Sequence, residues 1–412
     1  VEENLGLLEE RGLLDPTDRE RMVARYHAQE QERRSLLPKL RLSGDLRLRG
    51  EGFWYDEDAL GDDAENRVRG RYRLRIAAEA EVNEWITAHA RLASGENDSR
   101  STNTSFGRPG PDFDPDPIFI DRASVELRAP GAWLPVEAGS AVLEIGKQPN
   151  PFLWKGARDF LLWDNDIVPE GVALRLRGEA ARGLQAFAHA GYFLLDENTT
   201  RSDPHLIGAQ LGAEWSDGSP FRGSVRASWY GFRSLDGDFL TRGISGAGGS
   251  TDSLGNLPGG LTDGSRHVDV GELGAYLTWQ GSERWPVTVF GYVAHNFSAR
   301  SSPLAPQAGD QSLAWFAGLE VGDKRALVAL GLGYLLMEAN AFPSQFVDSD
   351  VFDGRTNREA IAIWGSRRIL PNTDFNLTVF LSEAARDALP DFADSAAQAD
   401  RRRVQTDLVV GF

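Results

Sequence analysis

Five arginines at alternate positions of one short stretch are the residues of this chain best suited to binding chemistry. They are Arg67, Arg69, Arg71, Arg73 and Arg75, and the residues between them are mainly apolar. A period of two is that of a β-strand, whose side chains alternate between its two faces. Because guanidinium groups attract carboxylates and phosphates, one face of this strand could steer anions.

The element that carries these arginines must keep one face in water and the other in an apolar environment. In a soluble sandwich, five arginines on the solvent side would be unusual, whereas a membrane barrel has lipid outside and water inside. Similar two-faced stretches recur from Lys39 onward, and we count about sixteen. The predicted strands are 39–54, 66–82, 85–96, 118–128, 139–148, 170–179, 184–194, 205–216, 220–233, 267–280, 285–296, 311–321, 325–337, 356–367, 373–384 and 400–412.

Connection lengths favour the barrel over the sandwich. Connections after even-numbered strands are mostly tight, whereas those after odd-numbered strands, such as 97–117, 234–266 and 338–355, are long and polar. This alternation is typical of outer-membrane barrels, with short periplasmic turns and long external loops. The last strand alternates up to Phe412, as expected of a terminal outer-membrane assembly signal. We therefore predict an all-β, transmembrane antiparallel β-barrel of about 16 strands over residues 39–412.

Residues 1–38 lack the alternation and predict a short α-helical segment on the periplasmic side. Asp15 and Pro16 form a helix start, and we expect helices at about 2–11 and 16–34. This segment could dock on the barrel rim, or act as an oligomerising stalk or plug. The start at Val1 is typical of an exported protein that has lost a leader.

Composition narrows the functional classes. The 412 residues carry a formal net charge of −17, which argues against nucleic acid as a partner, and no cysteine, which excludes disulfides and thiol ligands. The sequence contains no run of about 18 apolar residues, so we expect no membrane-spanning helix. The common catalytic motifs for serine hydrolases, P-loop enzymes and zinc proteases are missing, so we expect no enzyme and no cofactor.

Two stretches carry a family resemblance. LEIGKQPNPFLW (143–154) and LLWDNDIVPEGVALRL (161–176) resemble a family of Gram-negative putative porins, as does the N-terminal LEERGLLDPTDRERM (8–22). The resemblance implies a porin of about sixteen strands. Alginate-export porins, which also line their lumen with arginines, are similar more loosely.

Strand parity predicts a pore-lining basic wall and an opposing constriction loop. The wall arginines are Arg41, Arg47, Arg49, Arg67, Arg69, Arg71, Arg73, Arg75, Arg91, Arg122 and Arg403. Each could instead simply pair with a lumenal acid. The connection 149–169 is too apolar for an exposed loop, so we expect it inside the barrel mouth, although it could also cover the rim or a subunit interface. Its candidate constriction residues are Trp154, Lys155, Arg158, Asp159, Asp164 and Asp166. We expect the three aspartates to face the wall.

The expected function is passive diffusion of small hydrophilic solutes, anionic or dipolar, through a pore narrowed by this loop. The alternative is a dedicated exporter of an anionic polysaccharide such as alginate; a barrel-rim enzyme and an envelope tether are weaker hypotheses. Expected partners are outer-membrane lipid, lipopolysaccharide and, by analogy with general porins, two further copies in a homotrimer.

Two smaller patterns remain. Four aspartates within 112–121 have the spacing of oxygen ligands for Ca²⁺, but no Gly or Glu completes an EF-hand, which favours a solvated acidic loop. Aromatic residues near strand ends predict interfacial girdles. They are Trp279, Trp285, Phe297, Trp315, Phe316 and Tyr334.

Overall fold

The structure is a computed structural model that describes most of the chain. The described residues are 9, 11, 14–36, 39–55, 66–95, 99–107, 114–129, 140–154, 156–235, 254–386, 389 and 400–412, with the main chain alone for 16, 28–36 and 352. Among them, no helix combines the length and the apolar character needed to cross a bilayer.

The N-terminal helix, α1, spans Pro16–Leu36. It begins as predicted, because the side chain of Asp15 accepts a hydrogen bond from the Thr17 amide at 2.8 Å and Pro16 occupies the first helical position. The predicted helix at 2–11 falls almost wholly outside the described residues.

Seventeen β-strands follow in the described residues; sixteen have bounds close to those predicted, and a further two-residue strand lies in the predicted connection 97–117. They are β1 Leu40–Tyr55, β2 Arg67–Glu81, β3 Ile86–Ser94, β4 Thr104–Ser105, β5 Ile118–Arg128, β6 Ser140–Lys147, β7 Glu170–Ala181, β8 Leu184–Leu194, β9 His205–Trp215, β10 Phe221–Arg233, β11 Val268–Trp279, β12 Val287–Asn296, β13 Leu313–Gly322, β14 Ala329–Met337, β15 Arg358–Leu370, β16 Thr373–Ala384 and β17 Arg401–Gly411. A one-turn helix, α2, spans Ser349–Phe352.

The strands form one closed antiparallel barrel. Each long strand pairs with its sequence neighbour, and β1 pairs with both β2 and β17, so the sheet has no free edge. The two-residue strand β4 adds only a short pairing to β2 at Arg71 and Tyr72. The barrel therefore has sixteen long strands, as the alternation predicted.

The outer face of the barrel is apolar and exposed. Val68 on β2 is 76% exposed and Leu42 on β1 is 69% exposed, whereas Arg49 and Phe53, on the other face of β1, are buried. Large apolar side chains are exposed on every described long strand except β17, as expected of a lipid-facing surface around a closed barrel. Of the predicted girdle residues, Trp279, Trp285 and Phe297 are exposed. Phe316 instead faces inward and is fully buried, so the girdle prediction was wrong for this residue.

The inner face has two different halves. Strands β10–β16 present large apolar side chains to the interior, whereas β17, β1–β3 and β5–β7 present arginines and carboxylates. The apolar half includes Tyr230, Phe232, Phe290, Tyr292, Phe316, Trp364 and Phe380. Apolar side chains inside a barrel need a covering layer, which two long connections supply: loop A, residues 148–169, and loop B, residues 338–357.

Candidate functional site

Charged side chains of β17, β1, β2, β3 and β5 lie on neighbouring strands of the inner face. Strand alternation places arginines opposite arginines in the β1–β2 register, where Arg47 is level with Arg73 and Arg49 with Arg71. Like charges directly opposite each other destabilise a sheet unless carboxylates intervene. The structure supplies many of those carboxylates.

Carboxylates of the same strands neutralise a large part of the arginine set. Arg73 donates to Asp45 at 2.6 Å, and Glu51 accepts from Arg69 at 2.5 Å and from Arg403. The remaining pairs are Arg49–Asp407 at 2.7 Å, Arg41–Glu79 at 3.2 Å and Arg91–Asp121. These ion pairs make the wall a lattice of alternating charge, so its net charge is smaller than its arginine count suggests.

Several arginines have contacts of another kind. Arg47 donates to the amide oxygen of Asn103 at 2.6 Å and stands 4.0 Å from Asp407. Within the described residues, Arg122 has no carboxylate within hydrogen-bond distance, and its Nε is buried without a partner. The Arg67 guanidinium lies over the ring of Phe53, at 5.2 Å. Positive charge therefore remains at Arg47 and Arg122.

The apolar part of loop A is buried against the inner faces of β10–β16. Phe160 packs against Phe316 and Phe380 with ring centroids 5.8 and 5.3 Å apart, and Trp163 packs against Tyr230 at 5.3 Å. The sequence predicted burial for this segment because of its apolar composition. Wall glycines make room for it: a Cβ at Gly208 would overlap the ring of Phe152.

Arg226 on β10 anchors loop A from the apolar half. Its guanidinium donates to Asp159 of loop A at 2.8 Å and to Glu272 of β11 at 2.6 Å, and it donates to the Phe152 carbonyl at 3.2 Å. It also lies 4.3 Å from the Trp154 ring. Sequence reasoning missed this role; the signal that could have found it is the alternation, which puts Arg226 and Glu272 among the polar positions of adjacent strands.

The acidic end of loop A reaches the arginine half. Asp166 accepts from Arg75 at 2.6 Å and lies 3.8 Å from Arg73. Although burial alone would raise it, these arginines hold the pKa of Asp166 well below its usual range. Loop A thus contacts both halves of the inner face.

The other predicted loop residues lie elsewhere. Asp159 meets Arg226, and Asp164 accepts a hydrogen bond from the Ser349 amide of loop B at 2.8 Å, so the expectation that all three aspartates face the basic wall was wrong for these two. Burial and the nearby charge of Asp166 raise the pKa of Asp164 to about 7. Arg158 donates only to the Ser366 hydroxyl, at 3.5 Å, among the described residues. Lys155 lies outside the described residues.

Loop B was expected to be an external polar loop, and this expectation was wrong. Asn340, Phe342 and Ser344 are fully buried, and the Asn256 side chain donates to the Phe342 carbonyl at 2.9 Å. Its helix α2 presents Asp350 to Arg49 at 2.7 Å. The burial of loop B was hard to predict from the sequence, because the residues that contact it lie up to about 300 positions away.

A third connection completes the layer beside the arginines. Ser101 accepts from Arg71 at 3.1 Å, and the Thr102 amide donates to Asp166 at 3.2 Å. Uncharged hydroxyl and amide groups of residues 99–107 therefore contact both the wall and loop A.

The possible Ca²⁺ cluster is not assembled by the described residues. Asp116 accepts from the Tyr72 hydroxyl and Asp121 from Arg91, while Asp112 lies outside the description. Within the described part of the chain, no group of three or more His, Asp or Glu side chains could hold a metal ion.

Comparisons with known proteins agree with this architecture. The family model described as "Putative porin" matches residues 57–253. OprB from Pseudomonas putida, in a high-pH structure, is 10% identical, with a TM-score of 0.54 over 92% of this chain and 96% of that chain. A comparison with curated proteins finds no match.

Two further solved structures are similar at lower scores. A triple mutant of the Rhodopseudomonas blastica porin is 12% identical, with a TM-score of 0.45 over 90% of this chain and 100% of that chain. A trimer form of OmpT from Vibrio cholerae is 10% identical, with a TM-score of 0.47 over 90% and 99%. Of these three structures, OprB alone has a TM-score high enough to indicate a shared fold, and at 10% identity its similarity shows the fold alone.

The closed barrel, its lipid-facing exterior and its charged interior are those of a channel protein of the bacterial outer membrane. The family model matches the part of the chain that runs from the β1–β2 connection into the β10–β11 connection. The fold is that of an outer-membrane porin, and residues 57–253 match the putative porin family.

Proposed function

We propose that this porin passes small hydrophilic solutes by passive diffusion through a lumen narrowed by loop A, with a preference for anionic or dipolar solutes. The observation that carries the proposal is the contact of Asp166 with Arg73 and Arg75. Carboxylates on the loop side and guanidiniums on the wall side would create a transverse field at the narrowest level.

The narrowing requires that loop A stay inside the lumen. Its aromatic packing on β10–β16 and the Arg226–Asp159 ion pair support this, because both would be lost if the loop moved out. Passage would then follow the charged half of the interior, where groups that hydrogen-bond to solutes are concentrated.

The proposed anion preference rests on arginines that the lattice of ion pairs does not neutralise. Arg47, Arg122 and Arg158 have no described carboxylate within hydrogen-bond distance. Their charge persists although the whole chain is acidic, because many acids lie in the connections and in the N-terminal segment. A solute in the lumen responds mainly to nearby charges, since salt screens those beyond about 8–10 Å.

Liposome swelling with solutes of equal size tests the proposal. Glucose, glucuronate and glucosamine share the pyranose ring and differ mainly in charge, and we expect glucuronate to enter fastest and glucosamine slowest. The triple variant R47Q/R122Q/R158Q should bring the three rates together. Fastest entry of glucosamine, unchanged in the triple variant, would contradict the proposed preference.

The alternative function is export of an anionic polysaccharide such as alginate. The arginine-rich half of the lumen supports it, but loops A and B both occupy space that a linear chain would need. Alginate fragments of increasing length discriminate the two functions: a general pore excludes them above a few sugar units, whereas an exporter admits long chains.

The remaining proposals concern the surroundings of the barrel. We expect residues 1–38, with helix α1, to lie in the periplasm, outer-membrane lipid and lipopolysaccharide to contact the apolar exterior, and the protein to assemble as a homotrimer. Native mass measurement in detergent tests the assembly.

A further inference from the structure

We infer that three arginines of the inner face form an anion-binding site whose present occupant is part of the protein itself. The arginine cleft consists of Arg49, Arg401 and Arg403, and its occupant is the pair Asp350 and Asp353 at helix α2. The ligand class is a small multivalent oxyanion, such as an oligophosphate or a polycarboxylate, that binds by displacing this pair. This site goes beyond the proposed function and does not depend on its solute preference.

The carboxylates of the occupant are held mainly through guanidinium contacts of the kind that a free oxyanion would make, with one further hydrogen bond of 2.9 Å from the Gln405 side-chain amide to Asp350. Arg401 and Arg403 also donate to main-chain carbonyls of α2, at 2.9 and 2.7 Å. Arg49 donates to Asp350 at 2.7 Å, Arg401 donates to Asp353, and Arg403 lies 3.5 Å from Asp350 and 3.6 Å from Asp353. Forked guanidinium donors match carboxylate and phosphate oxygens alike. The cleft therefore recognises oxyanion chemistry, and the two aspartates supply it internally.

Without the two aspartates, the cleft would hold a surplus of positive charge. Glu51 and Asp407 are its other carboxylates, and they already pair with Arg403 and Arg49. Glu51 also pairs with Arg69, and the Arg401 and Arg403 guanidiniums surround the Phe53 ring at 5.5 and 5.1 Å. Since buried charges are costly when unpaired, the cleft favours any anion that can reach it.

The occupant can be displaced without dismantling loop B. Helix α2 has only four residues, and the side chain of Asp353 is 49% exposed, so water and solutes reach the edge of the cleft. Loop B is also anchored outside α2, at Asn340–Ser344 before it and at Thr356 after it, where the side chains are buried. Displacement would move residues 348–353 and expose Val351, which is 1% exposed in the docked state.

A free anion must compete with Asp350 and Asp353 for the arginine cleft, and this competition favours multivalent anions. The aspartates are tethered, so their effective concentration at the cleft is of the order of millimolar or more, and a monovalent anion such as chloride cannot match it. An anion with two or more charged groups can engage several arginines together and compete. Occupancy by such an anion would draw α2 out of the lumen and leave a wider, more positive passage.

Thiol labelling tests the inference, because the natural chain has no cysteine. In the otherwise intact protein carrying Val351→Cys, a membrane-impermeant thiol reagent reports exposure of position 351. We expect sodium tripolyphosphate to raise the labelling rate about tenfold, whereas sodium chloride at equal ionic strength has little effect. Adding Asp353→Asn should lower the half-effective tripolyphosphate concentration, because one resident carboxylate is lost. The matched control, Asp263→Asn on an exposed turn of another loop, should leave it unchanged.

A second measurement covers the case in which the cysteine variant does not fold. Hydrogen exchange of the wild-type protein should speed up in residues 348–353 when tripolyphosphate is added, with slow exchange retained in β15. Equal effects of tripolyphosphate and sodium chloride, or no change in either labelling or exchange, would overturn the inference.

Discussion

Replacing Arg226 with methionine should release loop A from the inner face. The substitution removes the hydrogen bond to Asp159 at 2.8 Å, the hydrogen bond to the Phe152 carbonyl and the contact with the Trp154 ring at 4.3 Å. A charge-assisted hydrogen bond contributes about 1.5–3 kcal/mol and a cation–π contact about 1 kcal/mol. Docking of loop A should therefore weaken by about 3 kcal/mol, which raises its undocked population roughly 100-fold.

Limited proteolysis measures this population. Trypsin can cut loop A after Arg158 only when the loop leaves the barrel interior, and cleavage follows the open population when docking is fast. We expect the rate in R226M to exceed that of the wild type roughly 100-fold. The folded barrel itself should also lose stability, because Glu272 stays buried without its arginine, at a cost of about 3–5 kcal/mol.

The chain offers a matched control for the same chemical change. Arg177 of β7 pairs with Glu214 of β9 at 2.9 Å, also on the inner face of the barrel, but both side chains are substantially exposed, at 49% and 36%. Such a pair contributes about 0–1 kcal/mol, so R177M should behave like the wild type. If R226M and R177M are cut at the same rate, Arg226 does not hold loop A.

Three further predictions concern the loops. Burial raises the pKa of Asp164 to about 7, so the Asp164 carboxyl holds its proton more tightly when loop A is docked than when it is free. Docking of loop A should therefore weaken as pH rises from about 5 to 8. The ratio of the wild-type to the D164N cleavage rate should rise over the same range. A ratio independent of pH would count against this coupling. Gly208→Ala should push the Phe152 ring aside and cost about 1–3 kcal/mol of stability in denaturant titration. The control is Gly291→Ala on β12, which should cost less than about 1 kcal/mol, because an added Cβ there would meet no atom nearer than 3.9 Å. Phe160→Ala should cost about 3–5 kcal/mol, with exposed Phe106→Ala as the control, and equal losses in both would refute the packing role of loop A.

The strands could be predicted from the sequence because lipid and water impose alternation on each strand locally. Strands β5, β8 and β16 fall where the pattern placed them, and the other long strands differ by a few residues. The alternation misled only where the interior is itself apolar: Phe316 looks like a girdle residue, but it packs against Phe160 inside the barrel. A hydrophobic residue in a strand does not by itself reveal which face it occupies.

The site was less predictable, because its contacts join distant parts of the chain. The apolar composition of loop A predicted burial, but the partners of its aspartates depend on which strand faces each residue. Loop B was predicted to be an exposed polar loop, yet Asn340 and Phe342 are buried, and its Asp350 and Asp353 meet arginines of β1 and β17. The individual arginines were visible in the sequence, whereas their pairing with two loops was not.

The reversal potential in a potassium chloride gradient tests the central claim most directly. With single channels in a planar bilayer, we predict a potential displaced toward the chloride equilibrium value for the wild type. The variant R47Q/R122Q/R158Q should shift toward zero, and R177Q should stay close to the wild type. A cation-selective wild type whose reversal potential does not change in the triple variant would contradict a lumen governed by these arginines.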